Sequence, residues 1–223
     1  MQEAPTVIPV VPMKPLSAGK SRLARQLTRD QRAELVAGML HRVISAIRGA
    51  SIDLFWVIGG DDRVMRLTRN ADGVWLPELG TSLNDTVSKA FERASLDGHS
   101  VMYLPGDLPF LKPADVHSML RSSARGNNIT LAPARRGGGT NGILVPQGIP
   151  FRPELGPRSF AKHLAQAASN AVSVAICYSP GLGFDLDTFD DLESYEHMEP
   201  GLLQRLVPHW DGPTSFASRG LPN

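Results

Sequence analysis

A single cysteine, Cys177, stands in a chain of 223 residues. No intramolecular disulfide framework can form, nor a zinc site built on several cysteines, and a lone thiol suits a reducing cytosol. An excess of either charge is missing too. The 23 Lys and Arg oppose 22 Asp and Glu for a formal net charge of +1, which leaves no electrostatic footprint for duplex nucleic acid or an anionic membrane. No apolar run approaches the roughly 20 residues of a membrane span, and the first residues lack the charged, apolar, then small-residue order of a signal peptide. The sequence therefore reads as a cytoplasmic protein with neither nucleic acid nor membrane as partner. What it has is core material: 42% of its residues are hydrophobic. One folded domain is expected over 1–208, because single units commonly run to about 100–200 residues. The Gly-, Pro- and Ser-rich end, 209–223, is expected to be a loosely ordered tail.

Hydrophobic periodicity orders the domain. Between 28 and 50 the apolar positions Leu35, Val36, Met39, Leu40, Val43, Ile44 and Ile47 recur at helical spacing, with Thr28 or Asp30 to cap the start and Gly49 at the end. The short apolar runs 6–13, 54–58, 74–76, 100–104, 128–133, 143–145 and 172–178 read as strands. The unbroken apolar character of 54–58 marks a strand covered on both faces, with parallel neighbours. Helices are expected over 63–70, 83–96 with Ser82 as cap, 115–124, 159–168, and from Thr188, where Asp191 completes a capping box with Asp in place of Glu. The stretch 135–142 is too rich in glycine to be regular. This alternation predicts an α/β protein, a three-layer α/β/α sandwich around a mostly parallel, Rossmann-like sheet, and in such sheets ligands bind beyond the carboxyl ends of the strands.

Three loops at those ends carry charge. Lys14, Lys20 and Arg22 follow the first strand and could cradle a triphosphate, the lysines as point charges and the arginine as a fork. Gly19-Lys20-Ser21 imitates the end of a phosphate-binding P-loop, but Lys14 stands where the first glycine belongs, so a P-loop kinase is disfavoured. Taken alone, this cluster is better explained as a solvated basic loop. Asp107 follows Leu104-Pro105-Gly106 at a strand end, and Asp185 and Asp187 share one side of an extended segment because side chains alternate with period two. A magnesium ion needs only one or two protein carboxylates when phosphate oxygens and water complete its octahedron, so three aspartates from two loops suit a metal–triphosphate complex. Each aspartate singly could equally be a turn former or a helix cap. The run 137–142 and the segment Gly156-Pro157-Arg158-Ser159 before a helix could each offer backbone amides to an anion. The first is otherwise a plain surface loop, and Ser159 otherwise an N-cap. The histidines at 41, 99, 117, 163, 197 and 209 show no ligand spacing and are expected on the surface, while Cys177 reads as a buried, inert thiol.

Five stretches in this order, 11–23, 104–109, 137–141, 156–160 and 185–192, resemble the CofC/FbiD guanylyltransferases of coenzyme F-420 biosynthesis, within the MobA-like nucleotidyltransferase superfamily. The resemblance spans about 6–195. It implies a nucleotide-diphospho-sugar transferase fold and transfer of GMP from GTP to 2-phospho-L-lactate, phosphoenolpyruvate or 3-phospho-D-glycerate, with pyrophosphate released. By motif it implies Asp107, Asp185 and Asp187 as ligands of Mg2+, and Lys14, Lys20 and Arg22 on the triphosphate, with Lys20 and Asp107 as the catalytic pair. It further implies Thr140, Gly156 and Ser159 on the acceptor phosphate and Asn84 on the nucleoside. Met13 stands where many relatives carry valine, and Asn141 where threonine or alanine is frequent. A homodimer is compatible with the resemblance. A MobA-like transferase with another acceptor, and a non-catalytic nucleotide-binding protein, are the alternatives; the first should lack the Gly-Pro-x-Ser motif and the second has no need of Asp-x-Asp.

Overall fold

The computed structural model describes residues 6–123, 128–207 and 210. Seven strands, β1 (Val7–Met13), β2 (Trp56–Gly59), β3 (Val74–Leu76), β4 (Ser100–Tyr103), β5 (Asn128–Pro133), β6 (Thr140–Val145) and β7 (Ser173–Ile176), form one sheet in the order β3-β2-β1-β4-β6-β5-β7. Every pairing is parallel except those of β6, which runs antiparallel to both β4 and β5. The helices are α1 (Arg29–Gly49), α2 (Asp62–Asn70), α3 (Leu83–Leu96), α4 (Pro113–Ser122), α5 (Ser159–Ser169), α6 (Pro180–Gly183), α7 (Phe189–Met198) and α8 (Leu202–Leu206).

The apolar strands serve two cores because alternate side chains point to opposite faces. Ile8, Val10, Trp56, Ile58, Val101 and Tyr103 face one layer, packed with Val87, Ala90, Phe91 and Ala94 of α3 and Ala167 of α5. Val11, Met13, Val57, Met102 and Leu104 face the other, closed by α1, α4, α7 and α8. The result is the expected three-layer sandwich. Local signals set the helix starts: Thr28 and Gln31 form a capping box on α1, Ser82 accepts from the Asp85 amide at α3, and Thr188 and Asp191 form the box on α7.

The glycine-rich stretch departs from expectation. Only its first half is a loop; Thr140, Asn141 and Gly142 already belong to β6, because pairing with β5 on one side satisfies their backbone. The short helices α6 and α8 were also not signalled, each being too brief to show a period. Among the described residues no helix is long and apolar enough to cross a membrane. The tail expected over 209–223 lies outside the described residues apart from Trp210, which packs against the core. The end of the 115–124 helix likewise falls outside them at Ala124.

Candidate active site

The site begins at the carboxyl end of β1. After Met13 the chain makes two 3-10 turns, Leu16–Ala18 and Ser21–Leu23, separated by Lys20 in the left-handed region at φ 51°. Asp61 fixes this loop from a distance: one carboxylate oxygen caps α2, and the other accepts the Leu16 amide at 2.8 Å. The strained Lys20 backbone delivers its side chain inward, where Nζ meets Asp107 Oδ2 at 2.6 Å and Asp187 Oδ1 at 2.8 Å. The Lys20 side chain is only 8% exposed. Burial by itself would depress the ammonium, but Asp107 and Asp187 more than offset it and hold the pKa above its ordinary value. Arg22 lies farther out, 3.8 Å from Asp187.

Asp107 sits in the loop after β4, brought close to Met13 by a glycine: a Cβ on Gly106 would collide with the Met13 sulfur. The segment carrying Asp185 and Asp187 is bound to that loop through the Leu186 amide and the Asp107 carbonyl, at 3.2 Å. Its course is set by Tyr195, whose hydroxyl donates to the Asp185 carbonyl at 2.9 Å from within an aromatic cluster with Phe110 and Phe184. The Asn141 amide donates to Asp185 Oδ1 at 3.3 Å and to the Leu182 carbonyl at 3.0 Å. Burial, then the nearby Asp107 carboxylate, raises the Asp185 pKa above the usual carboxylate value. Asp187 has the opposite balance: it is penalised by burial, but Lys20 and Arg22 bring it below that value.

A cavity of about 710 Å³ opens beside these groups. Lys14, Lys20, Arg22, Asp107 and Asp187 line it, and so do Glu78 and the 80–83 turn at the start of α3. That volume suits a ligand of nucleotide size, since small-molecule sites run to about 300–1,000 Å³. Glu78, Gly80 and Thr81 were missed by sequence reasoning, which singled out Ser82 and Asn84 at the start of this helix. The available signal was Gly80, where a Cβ would press on the Asp85 carboxylate and the Thr86 amide.

The donor set is suited to a hard cation. Asp107 Oδ1 is buried and has no hydrogen-bond partner, and a buried carboxylate oxygen without a partner is costly unless a cation or donor reaches it. Among the described residues no three His, Cys, Asp or Glu side chains converge closely enough to hold an ion by themselves. The Lys20 ammonium instead bridges Asp107 and Asp187. The expected set of three converging carboxylates is thus not formed; magnesium can take one or two carboxylates and draw the rest of its shell from phosphate and water, and Asp107 with its unpartnered Oδ1 and Asp187 are the residues that could supply them.

The residues expected on the acceptor phosphate lie on the far side of Asn141. Thr140 and Ser159 come together with 3.1 Å between their hydroxyl oxygens. Gly156, at φ 119°, and Arg158, at φ 55°, shape the approach to α5. Ser159 is the first helical residue rather than the cap. Asn84 accepts the Leu155 amide at 2.7 Å and donates to the Leu155 carbonyl at 3.2 Å, which makes it a clamp on the 150s loop, and it is not among the residues lining the cavity. His163 is not on the surface; it is fully buried beneath the Thr140–Ser159 pair. His209 lies outside the described residues.

Comparison with known proteins agrees with this geometry. The family described as "Guanylyl transferase CofC like" matches residues 7–198. The chain belongs to that family. It is thereby a nucleotidyltransferase. A phosphoenolpyruvate guanylyltransferase from Rubrobacter xylanophilus is 36% identical over 86% of this chain and 94% of its own length. A 3-phospho-D-glycerate guanylyltransferase from Phenylobacterium zucineum is 34% identical over 77% of this chain and 81% of its own. Among solved structures, a nucleotidyl transferase from Methanothermobacter superposes with a TM-score of 0.60 at 16% identity, covering 89% of this chain and 98% of that one. That likeness supports the nucleotidyltransferase fold.

Proposed function

We propose that the protein is a magnesium-dependent guanylyltransferase of coenzyme F-420 biosynthesis. It moves GMP from GTP onto the phosphate of a three-carbon acid: phosphoenolpyruvate, 3-phospho-D-glycerate or 2-phospho-L-lactate. The observation that carries this reading is the Lys20 ammonium held between Asp107 and Asp187 at the wall of a nucleotide-sized cavity, in a chain of this family.

Lys14, Lys20 and Arg22 receive the triphosphate as cations. An oxygen of the acid's phosphate forms a bond to the α-phosphorus while the bond from that phosphorus to the α–β bridging oxygen breaks, and its electron pair leaves with pyrophosphate. No general base is required, because a phosphate monoester with a second pKa of about 6 is already mostly dianionic at neutral pH. The protein's task is to hold two anions in line and offset their charge. When bound, magnesium would supply Lewis-acid neutralisation of the phosphate oxygens; Asp107 and Asp187 would hold it, with Asp185 alongside rather than as a third ligand. Thr140, Ser159 and the Gly156 loop take the acceptor phosphate.

The deciding experiment incubates the protein with GTP, Mg2+ and each acid, singly and in competition, and identifies the product by mass. A guanosine-diphospho acid with release of pyrophosphate is expected, and ATP, CTP or UTP in place of GTP should give much less. Product with a different phosphorylated acceptor alone would place the protein among MobA-like transferases of other specificity. Nucleotide binding with no turnover of any acceptor would make it a non-catalytic nucleotide binder.

A further inference from the structure

His163 lies at the centre of a small buried network that the transfer reaction does not obviously need. The Glu154 amide donates to His163 Nε2 at 2.9 Å. A nitrogen that accepts carries no proton, so the neutral ring must hold its proton on Nδ1. Nδ1 is 3.0 Å from Thr140 Oγ1 and therefore donates to it. The ring is neutral at physiological pH, since burial, assisted by the neighbouring Lys162, lowers its pKa to about 4.

Counting hydrogens then gives a constraint. Thr140 and Ser159 have one hydroxyl hydrogen each. The hydrogen bond between them, at 3.1 Å, uses one of these. The imidazole cannot accept the other, because Nδ1 is a donor and Nε2 is already occupied. Among the described residues neither hydroxyl has a further side-chain partner. One O–H is therefore left without an acceptor inside the trio. Ser159 opens α5, and Thr140 opens β6 next in sequence to Asn141, which touches Asp185.

We propose that His163 is a positioning residue for the acceptor. Fixed as its Nδ1–H tautomer by the Glu154 amide, it donates into the Thr140–Ser159 pair and turns the pair's spare hydroxyl hydrogen toward an anionic oxygen of the incoming phosphorylated acid. The identity of that ligand rests on the function proposed above; the tautomer and the hydrogen count do not.

Two substitutions separate this role from simple packing. In His163→Asn the side-chain nitrogen can take the place of Nδ1 and still donate to Thr140. In His163→Gln the amide oxygen can take the place of Nε2 and still accept from Glu154, but the donor to Thr140 is lost. Because a hydrogen bond to a charged group is worth a factor of about 10–100 in affinity, His163→Gln should raise KM for the acid at least about tenfold. Its KM for GTP should stay within about twofold, and His163→Asn should recover most of the acid affinity. Equal KM values for the acid in the two variants, or a parallel rise in KM for GTP, would overturn the proposal. If either variant fails to fold, the 15N signals of the wild-type imidazole decide: a neutral ring with protonated Nδ1 at pH 7 is expected, and a protonated Nε2 would refute it. That spectrum needs no substrate, so it also stands if none of the three acids reacts and the functional reading falls.

Discussion

Lys20 and Asp107, 87 positions apart in the sequence, meet at 2.6 Å. The same ammonium reaches Asp187 at 2.8 Å, so one side chain closes the space between the loops that follow β1 and β4 and the strip that precedes α7. A lysine in that place competes with any divalent cation for the same two carboxylates, and this has measurable consequences.

Lys20→Met should strand two carboxylates. Breaking a fully buried pair costs about 3–5 kcal/mol, and with Asp187 half exposed about 2–3 kcal/mol is expected here. For a chain of this size that corresponds to a melting temperature lower by about 5–10 °C. Turnover should fall about 100-fold or more through lost stabilisation of the transferring phosphoryl group. Added Mg2+ should stabilise the variant more than the wild type, because the ammonium no longer competes. Differential scanning fluorimetry with and without Mg2+ checks this, and equal shifts in both proteins would refute the competition.

Asp185 makes a prediction of opposite sign. Its folded pKa is raised, by burial first and then by the Asp107 charge. Its contribution to stability is therefore present below the ordinary carboxylate pKa and lost as pH rises through the folded value. The Asp187 pKa is lowered, so its contribution disappears only as pH falls below the ordinary range. The Lys20 pKa is raised, so its contribution disappears only in alkali. As pH rises above the ordinary carboxylate value toward neutrality, the stability change among these three groups belongs to Asp185, and it is compared between about pH 4.5 and 7.5. The increment in melting temperature given by Mg2+ should grow across that window. Asp185→Asn should flatten it, stabilise the metal-free protein at pH 7.5 and still abolish turnover. Melting curves at the two pH values, with and without the metal, provide the check.

Much of this site was legible in the sequence, for local reasons. Thr28, Ser82 and Thr188 cap helices through residues three positions away, and the strands announce themselves by short apolar runs. The three aspartates stood out because Asp107 follows a strand and Asp185 and Asp187 alternate along one stretch of chain; that this stretch follows the short helix α6 rather than a strand was not legible. Contacts across long separations were not legible: Asp61 on the Leu16 amide, Asn84 on Leu155, Asn141 on Asp185. Each is a polar residue whose role depends on what the fold brings opposite. His163 carried a signal that went unused. It lies four residues after Ser159 and four before Ala167, on the stripe of α5 that turns inward; the absence of a metal-ligand spacing was an argument against coordination and no argument for exposure.

Asn84 gives a test of that long-range clamp. Replacing it with alanine removes both bonds to Leu155, one residue before Gly156, and loosens the approach to the acceptor residues. A loss of about 1–3 kcal/mol is expected for two partly buried hydrogen bonds. KM for the acid should rise about five- to tenfold, more than KM for GTP, because the clamp lies outside the residues that line the nucleotide cavity. Steady-state kinetics with each substrate varied in turn decides it; a larger effect on GTP would return Asn84 to the nucleoside.

Gly106 offers the most specific test of how Asp107 is placed. Its φ is not in the left-handed region, so alanine is permitted by the backbone there; the obstacle is the Met13 sulfur, which a Cβ would meet. Met13 ends β1 and is buried while bordering the cavity, so the added methyl displaces its side chain, the loop bearing Asp107, or both. Overpacking of this kind costs about 1–3 kcal/mol, and a displacement near 1 Å at a reacting centre can cost about 100-fold in rate. Gly106→Ala should therefore lose most of its turnover while still folding. Met13→Val removes the sulfur, so the double variant Met13→Val/Gly106→Ala should regain at least tenfold of the lost turnover. Single Met13→Val should stay close to wild type. If the double variant is no faster than Gly106→Ala alone, the close approach of Gly106 to Met13 does not determine where Asp107 stands.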